Sequence, residues 1–156
     1  MVSRSRLAGP VLVACGCLMA VAAGCGQSAN QPAVAPTAGV VTYNGSPLAN
    51  AQVVFIPADS SGSRVATGKT DASGAFVMST FGKDDGAIPG DKLVTVVAQE
   101  EVKSAKEDNE PGSPGYVAPK ELIPKKYFSE ATSGLKASVV AGKQNRFEFA
   151  LTDEKK

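Results

Sequence analysis

The 156-residue chain carries 16 basic and 15 acidic side chains, no histidine and no tryptophan, and its three cysteines all lie within the first 25 positions. This near-neutral balance offers no basic patch and so no electrostatic reason to expect nucleic-acid binding. Lacking histidine, and lacking cysteine after Cys25, the chain is without the commonest general base, the commonest transition-metal ligand, thiolate zinc sites and internal disulfides.

Arg4 and Arg6 precede an apolar stretch from Leu7 to Ala23, broken by Gly9 and Pro10 and closed by Ala22-Ala23-Gly24-Cys25. A membrane-spanning helix needs roughly 20 unbroken apolar residues, whereas a basic start and small residues before a cleavage point mark a secretory signal. The stretch resembles the lipobox of bacterial lipoproteins, whose cysteine thiol is diacylated and whose signal is removed just before it. On that resemblance residues 1–24 are a lipoprotein signal peptide, and Cys25 carries the acyl chains that make membrane lipid the first partner. Two or more such chains, of the palmitate type, anchor stably at about 0.8 kcal/mol per buried CH₂. Leu12-Val13-Ala14-Cys15 fits the motif's letters better, since Ala22 replaces the usual Leu or Val, but it leaves only Leu7 to Ala14 as hydrophobic segment; Cys25 is therefore preferred to Cys15. An ordinary signal peptide that leaves a free thiol is the simpler alternative. Gly26 in place of Asp after the anchor suggests, by analogy, sorting to an outer membrane, facing the periplasm or the cell surface. Loss of Arg4 and Arg6 leaves 14 basic and 15 acidic side chains, a net charge of −1.

Residues 25–36, CGQSANQPAVAP, have no charge and no periodicity that could bury a face, and read as a flexible tether. From 37 to 152 the texture is that of an all-β domain, with short β-branched runs between Gly, Pro, Asn and Asp. Strands are expected at Gly39–Tyr43, Ala51–Ile56, Val65–Lys69, Ala75–Thr80, Leu93–Ala98, Lys136–Val140 and Arg146–Leu151. Asn44-Gly45-Ser46-Pro47 has the turn chemistry to end the first strand, and Pro57 closes the second. Phe76, Met78 and Thr80 share one face of the fourth. Leu93–Ala98 is the most continuously apolar run and reads as a central strand buried on nearly both faces. In the last strand Phe147, Phe149 and Leu151 alternate with Arg146, Glu148 and Ala150, the cleanest period-two signal in the chain. Helical periodicity is not convincing anywhere.

Residues 99–124 do not fit this pattern: Pro111, Pro114, Pro119, Gly112, Gly115 and mixed charges indicate a long surface loop, disordered over Glu100–Ser113. Ile123-Pro124-Lys125-Lys126-Tyr127-Phe128 is expected to pack back onto the domain, and 153–156 is a charged tail. Tyr116, Tyr127 and Phe128 are the candidate sugar-stacking or peptide-docking residues, with a core or loop-staple role as the plainer reading.

Gly39 to Leu48, Ala51 to Phe55 and Thr70-Asp71-Ala72-Ser73-Gly74-Ala75-Phe76 together resemble a carboxypeptidase-regulatory-like domain. The Ile123–Tyr127 segment, Thr132-Ser133-Gly134-Leu135 and the closing strand resemble a variant found in lipoproteins of planctomycete-type bacteria. The resemblance implies a prealbumin or transthyretin-like β-sandwich of about seven strands that is not itself catalytic. Independently of family, Asp71 and Gly74 have the spacing of a type I turn that aims Phe76 into the core.

A hydrolase here would need a Ser-Lys pair or paired carboxylates, such as Asp71 with Asp84 or Asp85, and none sits in a recognisable motif. Asp84-Asp85-Gly86 with Asp91 lacks the bidentate Glu of an EF-hand loop. No cofactor, metal or enzymatic activity is expected. The leading expectation is a tethered scaffolding, adhesion or protein-interaction module; a carbohydrate- or peptide-binding accessory domain is the alternative, and an envelope protein or glycan is the expected partner. A small-molecule carrier of the transthyretin kind would require a dimer channel.

Overall fold

A computed structural model describes residues 31–59, 64–100 and 118–153. The signal segment with Cys15 and Cys25, Tyr116, most of the Glu100–Ser113 stretch and residues 154–156 lie outside them. Among the described residues there are eight strands: β1 Thr37–Tyr43, β2 Ser46–Pro47, β3 Gln52–Pro57, β4 Ala66–Lys69, β5 Ala75–Val77, β6 Gly90–Val97, β7 Leu135–Val139 and β8 Asn145–Leu151. A 3-10 turn at Lys125–Phe128 and a single-turn helix, α1, at Glu130–Ser133 precede β7.

The strands form two four-stranded antiparallel-rich sheets. In one, β1 is central: β8 runs parallel along one edge over its whole length, while β5 and β2 share the other edge. They meet at Val41, whose N–H goes to the Gly74 carbonyl at 2.8 Å and whose carbonyl takes the Leu48 N–H at 3.0 Å. The second sheet runs β4-β3-β6-β7 and is wholly antiparallel. Phe55 of this sheet meets Phe76, Phe147 and Phe149 of the other edge-to-face, with centroids 5.6–6.4 Å apart. Phe55, Phe76 and Phe149, with Val41, Val53, Met78, Val94, Val96 and Leu151, belong to one buried cluster, against which the half-buried Phe147 packs. Gly39 makes the ring packing possible, since a Cβ there would lie 2.3 Å from the Phe147 carbonyl oxygen and 2.6 Å from Phe76 Cζ.

All seven expected strands occur, and β6 is interior with Val94, Thr95 and Val96 consecutively buried. Several of these expectations are refined, each for a local reason. Asn44 and Gly45, at φ 49° and 82°, make a two-residue hairpin of the kind that matches strand twist, so Ser46-Pro47 pairs back on Thr42-Tyr43 instead of serving as turn. The fourth strand stops at Val77 because Asp85 collects the N–H groups of Thr80, Phe81 and Gly82. The expected tether ends before Pro36: Ala35 is buried and exchanges both backbone hydrogen bonds with Ala87, at 2.8 and 3.0 Å. The described ends of the 99–124 segment are tied together, where Glu100 N–H reaches the Lys120 carbonyl at 2.9 Å and Leu122 N–H the Ala98 carbonyl at 3.0 Å.

Candidate functional site

Of the aromatic residues singled out as a possible recognition edge, Tyr116 lies outside the described residues, and Tyr127 and Phe128 pack against the domain. Tyr127 is buried, its hydroxyl bonded to the Thr152 carbonyl and N–H, and Lys126 Nζ sits 5.0 Å over its ring. Phe128 is half-buried against the same core. Both pack as the plainer staple reading and the expected return of Ile123–Phe128 onto the domain have it, and Ile123 is buried in the same core. The reason lies in β6. Its edge beyond Val94 is not covered by β7, so this segment fills the gap, and Ser133 Oγ donates to the Val94 carbonyl at 2.6 Å.

A concavity among the described residues lies elsewhere, where β4 and β5 approach and then part. The two strands are joined at Thr67 and Ser79, which exchange N–H···O bonds of 2.9 and 2.8 Å. Gly68 permits this approach, because a Cβ there would lie 2.7 Å from the Val77 carbonyl. Past that bridge the strands splay around an open groove of about 720 Å³ whose polar wall comprises Asn50, Gln52, Lys69, Asp71, Asp84 and Gln99. Val77, 44% exposed, supplies an apolar element beside it. Side-chain amides and carboxylates around a shallow apolar patch can hydrogen-bond hydroxyls or peptide groups in either direction. The polar wall draws on β3, β4, the end of β6 and three turns, so only strand pairing assembles it.

The acids considered for catalysis are engaged in turns. Asp71 Oδ1 accepts from Ser73 N–H at 2.8 Å, Ser73 Oγ at 2.7 Å and Ala75 N–H at 3.0 Å, and the Gly74 N–H closes the turn on the Asp71 carbonyl at 3.0 Å. The Ser73 hydroxyl, then the two peptide N–H groups, hold the Asp71 carboxyl below the usual range. Partial burial would push Asp85 up, but the three N–H bonds from Thr80, Gly82 and Phe81, at 2.7–3.0 Å, outweigh it and leave its carboxyl low. Asp84 shares the groove wall with Asp71, whereas Asp85 faces its own turn. Asp153 holds the Tyr43 hydroxyl and the Asn44 amide; the shared hydrogen bond raises the Tyr43 phenol and lowers the Asp153 carboxyl.

One buried ion escaped sequence reading. Lys92 faces the same way as Val94 and Val96 and is 3% exposed. Burial depresses its ammonium below the normal lysine range, and the charges of Asp59 and Asp91 oppose that shift. The only hint in sequence is its period-two phase with the valines that follow.

Comparison with protein-family models, curated proteins and solved structures yields no match. Among the described residues no helix is long and apolar enough to cross a membrane.

Proposed function

We propose that the mature chain is a noncatalytic, lipid-anchored β-sandwich of the transthyretin-like kind that acts as a scaffolding, adhesion or protein-interaction module in a bacterial envelope. The observation that carries this reading is Ala22-Ala23-Gly24-Cys25 at the end of the apolar run, followed by a chain whose described residues form a two-sheet domain. Engagement of Asp71, Asp85 and Asp153 in turn and terminal hydrogen bonds supports a structural use of the acids. Metabolic labelling with a clickable fatty acid tests the anchor: wild type and Cys15→Ala should incorporate label, and Cys25→Ala should not. Label retained by Cys25→Ala, or absent from wild type, overturns the reading.

A second reading, a carbohydrate- or peptide-binding accessory domain, is favoured by the amide- and carboxylate-lined groove. Its recognition residues would be Gln52 and Gln99, not Tyr127. Glycan- and peptide-array binding that disappears on Gln52→Ala with the fold intact would establish it; arrays without signal would reject it.

A further inference from the structure

We infer that the outer edge of β8 is a self-association surface, on which a second copy of this chain adds its own β8 antiparallel across a two-fold axis. This goes beyond the reading above and uses residues outside the groove. The hydrogen-bond phase of β8 is set by its parallel pairing with β1: Asn145 N–H goes to the Pro36 carbonyl at 2.8 Å, and the Leu151 carbonyl takes the Asn44 N–H at 2.9 Å. In a strand the N–H and C=O of one residue point to the same side, alternating along the chain. Asn145, Phe147, Phe149 and Leu151 therefore bond to β1, and the peptide groups of Arg146, Glu148 and Ala150 point away from it. All three of those residues are exposed, and β8 pairs with no strand other than β1 among the described residues.

Such an edge is a template for another strand, and proteins blunt edges with proline, bulges or short strands. β8 has seven residues in unbroken register with β1 and no proline. Its charged pair does not repel a copy of itself either. Arg146 and Glu148 share a face two residues apart, so an antiparallel pairing with the axis at Phe147 sets Arg146 of each copy opposite Glu148 of the other. The same register opposes residues whose N–H and C=O both point outward, giving reciprocal hydrogen-bonded pairs at 146–148 and 148–146. A shift by one residue sets outward peptide groups against groups already bonded to β1. Shifts by two set Arg146 against Arg146 or Glu148 against Glu148. One register alone satisfies both the backbone and the charges.

The test is sedimentation equilibrium of the full chain in density-matched detergent, with wild type, Arg146→Glu, Glu148→Arg and the double swap. Thermal melts check that each variant is folded. Wild type should be dimeric in the micromolar range, each single reversal should weaken association at least tenfold, and the swap should restore it. A wild type that stays monomeric up to roughly 100 µM, above the Kd expected of so small an interface, overturns the inference. So does a dimer that neither reversal weakens, or one that the swap fails to restore. Any of these results leaves the acyl-labelling test of the anchor untouched.

Discussion

Tyr127 and Thr152 hold each other twice. The phenol donates to the Thr152 carbonyl at 3.1 Å and accepts the Thr152 N–H at 3.0 Å, which locks the Ile123–Phe128 segment onto the chain just after β8. Removing only the oxygen tests this. Tyr127→Phe should cost about 2 kcal/mol, because it leaves a partly buried peptide N–H and C=O without their partner. Denaturant unfolding should show a lower midpoint with an unchanged slope.

Asp85 is the second such lock. Its Oδ1 accepts from Thr80 N–H and its Oδ2 from Phe81 and Gly82 N–H. Asp85→Asn keeps one acceptor oxygen and turns an amide toward the remaining donors, so it should destabilise by about 2 kcal/mol. A melting temperature equal to wild type would show that the turn does not depend on the carboxylate.

The acid dependence of stability follows from Asp71, Asp85 and Asp153, whose carboxyls are all lowered from the ordinary 3.8 in the folded state. A lowered folded pKa contributes stability above the unfolded value, and that contribution is lost as pH falls through the folded values. With no histidine in the chain, unfolding midpoints should be nearly flat between about pH 5 and 8 and fall below about pH 4. Asp85→Asn should make that acid limb shallower.

Lys92 carries a charge on the buried face of β6. Lys92→Met keeps the length of the side chain and removes the desolvation, so it should stabilise by roughly 1 kcal/mol or more. In wild type the lowered ammonium makes stability rise with pH between its folded value and the ordinary 10.5. Calorimetry should find Lys92→Met a few degrees above wild type, about 4 °C per kcal/mol for a domain of this size, and lacking that alkaline rise.

Gly39→Ala should be among the most damaging single changes. The new methyl carbon would overlap a backbone oxygen of β8 as well as the Phe76 ring, and the backbone contact has no rotamer to escape into. A loss of about 3 kcal/mol is expected, readable as a lowered midpoint; Gly45→Ala, where nothing lies within 4 Å, should cost only the strain of its positive φ.

Much of the fold was legible. The period-two alternation of Phe147, Phe149 and Leu151 against Arg146, Glu148 and Ala150 appears in the burial of β8, with Phe147 half-buried. Asp71 and Gly74 announced their turn, because an Asp acceptor and a positive-φ glycine are local needs; Gly74 has φ 77° and a Cβ on it would lie 2.4 Å from the Val41 oxygen. The start of β6 at Gly90 was hidden because Asp91 and Lys92 break the apolar run from which strands are read. The groove was hidden for a similar reason. Aromatic character drew attention to Tyr127 and Phe128, while the groove wall is made of Gln52, Lys69 and Gln99, which are unremarkable polar residues on three different strands or their ends.

Sequence alone determined what depends on neighbours within a few residues: the strand segments and their buried phase, the Asn44-Gly45 and Asp71–Gly74 turns, and the lipobox-like tetrapeptide. Only the tertiary structure decided what depends on which strands lie side by side. The parallel pairing of β8 with β1, the parting of β4 from β5 that opens the groove, and the burial of Tyr127 and Lys92 each join positions far apart in the chain. Such contacts arise from packing two sheets around one set of aromatic rings, and no local pattern encodes the partner a strand will find.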